Sequence, residues 1–408
     1  MGKLVFFNVP AYGHLNPSLP IVRELVDRGE QVVYFNHESF RSAIEASGAE
    51  FRSIPNLIGH DFTRRNKTFV HLVEALMRQS QAWLPTGLEE FRELGDVDLV
   101  MHDVICPWGR FVAELTRTPR VCMSSTLAMH SKLLLKGGSP ANIPFLVTRG
   151  FGAFFRYRKI ARDMAHTYGL TKLNPFDLVT NHGECNIVFT SRAFQPEETL
   201  FDDRYNFIGP SLAEPKSEAA VQTQSDLPDG PLIFLSLGTV FTDLMPFYQA
   251  CMRNFADIGM PVVMVVGRNT NMAELGTPPA NFVIRPFVDQ LEVLKRARLF
   301  VTHGGTNSVM ESLYNGVPLL VLPPTSEHAF VGRSATAKSA ARMLTMKDLD
   351  GMRLRAAADA VLNDPSYRDA AEMLRKSLHA AGGFRRGADV IQAYRDQVKP
   401  RVADLVGV

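Results

Sequence analysis

The feature that most constrains this chain is a regular alternation of short apolar runs with amphipathic stretches, which halts in a polar segment and then begins again. Residues 4–9 form a short, mostly apolar run that ends at Pro10. Residues 20–29 carry Ile21, Val22, Leu25 and Val26 at helical spacing before a Gly stop, and residues 31–36 are rich in β-branched and aromatic side chains. This reads as strand, Gly-containing loop, helix, strand. Strands that alternate with helices form βαβ units, and therefore a parallel sheet. Further strands are expected at residues 99–102, 120–123 and 185–190.

Residues 211–230 (SLAEPKSEAAVQTQSDLPDG) are polar, contain Pro and Gly and lack periodicity, as an interdomain linker does. The pattern then restarts, with strands expected at 232–237, 262–266, 282–284, 299–302 and 318–322. Helices are expected at 246–257, 306–315, 351–363 and 366–395. The fold class is α/β, two doubly wound domains: 1–210, then the linker 211–230, then 231–385, with a terminal helix at 386–408 crossing back to the first domain. Two such units are expected to face each other across a cleft, at the carboxyl ends of their strands.

A length of 408 residues suits two domains, and 46% apolar with 21% charged residues excludes wholesale disorder. The net charge of +2 offers no electrostatic footprint for nucleic acid or an anionic membrane, which leaves a small-molecule partner. Cys106, Cys122, Cys185 and Cys251 are scattered, so buried free thiols are expected, with neither a disulfide framework nor a zinc site. The run Leu4-Val5-Phe6-Phe7 lacks a cleavage pattern, and nothing approaches the ~20 apolar residues of a membrane span. A cytoplasmic protein, monomer or homodimer, is the expectation.

The most informative stretch is Thr302-His303-Gly304-Gly305-Thr306-Asn307-Ser308-Val309-Met310-Glu311, just after a strand and at the start of a helix. Its glycines let backbone approach a ligand, and the amides and dipole of a helix start favour phosphate. Glu311 sits one turn on, where a carboxylate can accept from ribose hydroxyls. A helix capped after a Gly turn is the plainer reading of the stretch alone.

With Phe287-Val288-Asp289-Gln290-Leu291-Glu292-Val293-Leu294 before it, and Gly316-Val317-Pro318 and Pro323-Pro324-Thr325-Ser326-Glu327-His328 after it, the region resembles the family 1 UDP-glycosyltransferases of GT-B fold, especially bacterial macrolide-type enzymes. Tyr12-Gly13-His14-Leu15-Asn16-Pro17 resembles that family's N-terminal loop, and Ser236-Leu237-Gly238-Thr239 its first C-domain loop. The resemblance implies a nucleotide-sugar site. Phe287 would stack on the base and the Val288 backbone would read its edge, with Gln290 beside them. Glu311 would hold the ribose. Thr239, His303, Asn307 and Ser308 would hold the diphosphate, Ser236, Gly238 and Gly305 would belong to the same nucleotide-sugar site, and Glu327 and His328 would face the sugar. Two positions depart from the family: Asp289 stands where relatives usually have Pro, and His328 where they have Gln, which bears on sugar identity.

His14 follows the first strand in what reads as a loop, and imidazole suits proton abstraction near neutrality. A lone loop histidine can equally be structural. Asp103, at the end of the strand 99–102, is the acid that would orient it, unless it only caps a strand end. The resemblance implies a His–Asp dyad at these positions, an inverting transfer, and no cofactor beyond the UDP-sugar co-substrate. No metal is expected: Asp96/Asp98 and Asp348/Asp350 read as caps beside a strand and a helix. Phe62, Phe69, Trp83, Met129, Phe145, Phe151, Phe154 and Phe155 either line a pocket for a small apolar acceptor such as a macrolide, polyketide or flavonoid, or belong to the core. Two alternatives remain: a nucleotide-sugar epimerase of the same fold, and a catalytically silent partner protein. A dehydrogenase is disfavoured, since Gly13 stands alone where Gly-x-Gly-x-x-Gly is required.

Overall fold

The computed structural model describes residues 2–56, 58, 69–133, 143–212, 227–238, 245–268, 270–349 and 352–406. The chain divides into two compact units. The first comprises Met1–Phe189, Glu197–Leu212 and Gly382–Val408; the second comprises Thr190–Pro196 and Ala213–Ala381. The expected linker falls largely outside the described residues.

Among the described residues, the first unit holds a seven-stranded sheet of β1 (Lys3–Phe7), β2 (Gln31–Asn36), β3 (Glu50–Ser53), β4 (Leu99–Asp103), β5 (Arg120–Ser124), β6 (Cys185–Val188) and β7 (Tyr205–Phe207). Their order is β3-β2-β1-β4-β5-β6-β7, and every pairing is parallel. Both faces are buried, as a parallel sheet requires. Along β1, Leu4 and Phe6 point to one face, packing with Leu15, Ile21, Val22 and Leu25 of helix α1 (Tyr12–Asp27). Val5 and Phe7 point to the other, packing with residues of α3 (Phe69–Glu93) and α4 (Pro107–Thr116). The short α2 (Arg41–Glu45), and α5 (Ile143–Tyr168) and α6 (Pro175–Thr180), complete this part of the unit.

Helix α1 corrects the reading of the first loop. The helix begins at Tyr12, so His14 and the loop-like residues around it are helical, with Pro17 and Pro20 inside. Each proline removes an amide donor, which is why the stretch reads as a break. Burial of Leu15, Pro17, Pro20 and Ile21 holds the helix together. Side chains also serve its early carbonyls: Asn8 Nδ2 donates to the His14 carbonyl at 3.2 Å, and Ser18 Oγ to that of Leu15 at 2.7 Å.

The second unit repeats the plan. Among the described residues its six-stranded sheet comprises β8 (Leu232–Ser236), β9 (Val262–Val265), β10 (Phe282–Arg285), β11 (Ala297–Thr302), β12 (Leu319–Val321) and β13 (Ala341–Met343), in the order β10-β9-β8-β11-β12-β13, again all parallel. Helices α7 (Met245–Phe255), α8 (Gln290–Leu294), α9 (Thr306–Tyr314), α10 (Ser326–Ala337), α11 (Arg353–Asn363) and α12 (Pro365–Ala380) surround it. The single helix expected over 366–395 is two. α12 stops at Ala380, and Gly382 (φ 92°) and Gly383 (φ 62°) turn the chain into α13 (Gly383–Val406). Such left-handed backbone is open to glycine at little cost. α13 packs on α1, and Arg395 pairs with the buried Glu30.

In each unit the strand order reverses direction at one place, between β1 and β4 and between β8 and β11. At such a switch point the following helices leave to opposite faces and open a crevice at the strands' carboxyl ends. All four cysteines are buried thiols. Among the described residues no helix is long and apolar enough to cross a membrane.

Candidate active site

In the first unit, β1 and β4 run side by side with Phe7 opposite His102. The first turn of α1 therefore sits next to the end of β4, and His14 Nδ1 lies 2.9 Å from Asp103 Oδ2. Asp103 is 2% exposed and His14 15%, so the acid is enclosed while the imidazole reaches the surface of the unit. The second carboxylate oxygen accepts from the Ile105 amide at 2.9 Å.

Sequence reasoning missed the side chains that hold this pair. Ser125, just past β5, has its Oγ 2.6 Å from His14 Nδ1 and 3.1 Å from Asp103 Oδ2. Asn8, fully buried past β1, grips the His14 carbonyl and also donates to the Tyr34 hydroxyl at 2.7 Å. Behind Asp103, the buried His102 places Nδ1 3.1 Å from the Asp103 carbonyl and Nε2 2.9 Å from Arg120 Nη1. Burial, then the Arg120 cation, holds His102 well below the usual imidazole range, so it stays neutral. One available signal was position: each follows or ends a strand adjoining β4, or lies on β4 itself.

In the second unit the same topology gathers the residues expected to bind a nucleotide sugar. Thr302 at the end of β11 lies opposite Ser236 at the end of β8. The Gly238 amide donates to Ser236 Oγ at 3.3 Å. Gly238 has φ 73°, and a Cβ there would sit 2.6 Å from His303 Cε1; at Gly305, the N-cap of α9, it would sit 2.5 Å from His303 Nε2. The two glycines thus make the slot for this ring. Thr239 lies outside the described residues.

His303 is buried, and its pKa is pushed down to about 3, first by burial and then by His328, whose ring centre is 4.8 Å away. It is a neutral ring beside the start of α9, where Asn307 and Ser308 occupy the first turn. His328 lies in the first turn of α10, its Nδ1 2.5 Å from Oγ1 of the N-cap Thr325. Glu327 beside it is exposed.

Phe287 is half exposed, with the Arg268 guanidinium 5.6 Å from its ring centre, and Val288 is buried. Asp289 explains its departure from the expected Pro: it caps α8, its Oδ1 accepting from the Leu291 and Glu292 amides. α8 then aims Gln290 at α9, where Nε2 donates to Glu311 Oε2 at 2.6 Å and approaches Ser308 Oγ at 3.4 Å.

The remaining candidates separate. Trp83 is core, against Phe7 and Phe35. Phe69 is half-buried against the same core and Met129 is half-buried, whereas Phe151, Phe154 and Phe155 are exposed, with the Phe155 ring against both of the others. Phe62 and the Phe145 side chain lie outside the described residues. Asp98 accepts from the Lys3 amide, and Asp348 from Thr345, as local ties; Asp350 lies outside the described residues. Among the described residues no group of three or more His, Cys, Asp or Glu could hold a metal ion.

Burial pushes the Glu311 carboxyl up to about 7, against the opposing pull of the Gln290 amide. A carboxyl whose folded pKa exceeds its unfolded value contributes stability in full below about 4.5, and this is lost as pH rises through about 7. Glu311→Gln, neutral throughout, should match the wild type near pH 4.5. At pH 8 it should be more stable by about 1–3 kcal/mol. Urea unfolding at the two pH values checks this; a gap that does not change with pH would contradict it.

Known proteins match this chain along most of its length and in its fold. The family model of UDP-glucoronosyl and UDP-glucosyl transferases matches residues 207–382. An uncharacterized UDP-glucosyltransferase of Bacillus subtilis, YojK, is 30% identical over 96% of this chain and 97% of its own length. The oleandomycin glycosyltransferase of Streptomyces antibioticus is 28% identical over 96% and 90%. The solved structure of the kitacinnamycin glycotransferase is 29% identical, covers 96% of this chain and 98% of its own, and superposes with a TM-score of 0.84. The chain belongs to the UDP-glucuronosyl and UDP-glucosyl transferase family and is a glycosyltransferase of GT-B fold.

Proposed function

We propose that this enzyme transfers a hexose, glucose first among candidates, from a UDP-sugar to a hydroxyl of a small apolar natural-product acceptor, inverting the anomeric centre and using no metal ion. The observation that carries the reading is the 2.9 Å contact of His14 Nδ1 with the enclosed Asp103 carboxylate. A carboxylate can only accept, so Nδ1 carries the hydrogen and Nε2 is the nitrogen that takes a proton. The acceptor hydroxyl gives its proton to Nε2 as its oxygen bonds to the anomeric carbon. The bond from that carbon to the phosphate oxygen breaks, and UDP leaves with the electron pair. Asp103 stabilises the imidazolium that forms.

Charge grows on the departing phosphate, and oriented donors must meet it. The start of α9 with Asn307 and Ser308 supplies them, and neutral His303 adds an N–H. Glu311 and Gln290 suit ribose hydroxyls, and Phe287 presents a half-exposed face on which a base can stack. The exposed Phe151, Phe154 and Phe155 suit an apolar acceptor. An epimerase has no use for a base oriented this way, and the intact dyad argues against a silent partner.

His14→Ala should lower kcat with an alcohol acceptor by about 10²–10⁴-fold while UDP affinity stays nearly unchanged. Asp103→Asn should lose activity through an unsupported tautomer. Turnover within a few-fold of wild type would remove His14 from this role.

Activity should survive dialysis against excess EDTA. A requirement for added Mg²⁺ or Mn²⁺ to restore it would overturn the metal-free reading.

His328 and Glu327 are assigned to the sugar. His328→Gln should change the ratio of kcat/KM between UDP-glucose and other UDP-hexoses, because an imidazole and a primary amide offer a sugar hydroxyl different donors and acceptors. UDP alone should bind as before. Unchanged ratios for both His328→Gln and Glu327→Ala would leave His328 as a partner of the Thr325 cap and nothing more.

A further inference from the structure

Ser125 and Ser124 stand side by side at the end of β5, and both are buried, yet only one is tied to the dyad. Among the described residues Ser124 Oγ has no hydrogen-bond partner, whereas Ser125 Oγ touches both His14 and Asp103. A bonded hydroxyl is therefore not a general requirement of this strand end. We propose that Ser125 is a positioning residue for the base, its hydroxyl bridging carboxylate and imidazole and fixing the ring in the tautomer that leaves Nε2 to take the acceptor's proton. The proposal rests on His14 being that base.

Counting protons fixes the arrangement. Asp103 Oδ1 is served by the Ile105 amide. Oδ2 has two neighbours, Ser125 Oγ at 3.1 Å and His14 Nδ1 at 2.9 Å. The serine has one proton. If it pointed at Nδ1, that nitrogen would be a bare lone pair facing a carboxylate oxygen at 2.9 Å, which is repulsive. If it points at Oδ2, the serine oxygen turns its own lone pair to Nδ1 at 2.6 Å, and the Nδ1 hydrogen is shared between two acceptors. Only the second arrangement satisfies every atom. Two acceptors from different segments of the chain hold a ring more firmly than one, and they stabilise the same N–H when the ring becomes positive.

The test compares Ser125→Ala, Ser125→Thr, Ser125→Cys, Ser124→Ala and His14→Ala, each with UDP-glucose and two acceptors of similar size. One is an alcohol that stays protonated, the other an acidic phenol already ionised at the assay pH. Ser125→Ala should lose about 10-fold in kcat with the alcohol, the size of one hydrogen bond, with KM for UDP-glucose unchanged. With the ionised phenol, which needs no base, the loss should shrink to under about 3-fold. Ser125→Thr keeps the hydroxyl and should restore activity. Ser125→Cys, a near-isostere and weak donor, should behave as alanine does, which keeps the test alive if the alanine variant does not fold. Ser124→Ala should match the wild type. Equal losses with both acceptors would show a merely structural serine and overturn the proposal, as would wild-type turnover of Ser125→Ala and Ser125→Cys alongside an inactive His14→Ala. If His14→Ala itself turns over the alcohol normally, the base reading fails first.

Discussion

The candidate site of the first unit depends on two parallel strands, β1 and β4, that lie side by side but send their helices to opposite faces. That divergence leaves the strands' carboxyl ends uncovered, and whatever side chains follow them must meet there. His14 enters from α1 and Asp103 ends β4, so their contact follows from the register Phe7 to His102 and needs no special loop. The second unit repeats the arrangement with Ser236 and Thr302 as register partners, and the ring slot of His303 opens just beyond them.

The two sites handle charge in opposite ways. The first keeps an enclosed carboxylate and surrounds it with three donors, so that a nearby ring can become positive. The second collects groups whose charged forms burial disfavours: His303, pushed down to about 3, and Glu311, pushed up to about 7. A neutral imidazole next to a helix start adds a donor without a counter-charge, which suits a ligand that brings its own negative charge.

Much of this was legible in the sequence because it resides in local pattern. The strands of both sheets that carry the sites are short apolar runs, and the glycines around His303 mark where side chains would collide. The edge strands β3, β7 and β13 were not read, since Glu50–Ser53, Tyr205–Phe207 and Ala341–Met343 are too short or too polar to show periodicity. The start of α1 was hidden because Pro17 and Pro20 are loop signals, whereas the packing that overrides them is tertiary. For the same reason 366–395 read as one helix: the amphipathic pattern runs on, and only the backbone at Gly382 and Gly383 breaks it. Asn8, His102 and Ser125 escaped notice because they act through contacts between residues far apart in sequence. Nothing about a single serine after a strand reveals a histidine 111 positions away.

The return of α13 to the first unit has a consequence for biosynthesis. Its residues leave the ribosome after those of the second unit, yet Ala388, Val390 and Ile391 belong to the same core face as Leu4 and Phe6. Glu30, enclosed near the amino terminus, waits for Gln392 and Arg395. Synthesis of the first unit therefore begins before that of the second and is completed after it. Any chimaera that exchanges the second unit must carry Gly382–Val408 with the first, or it will leave an acid buried without its cation and a strip of α1 bare.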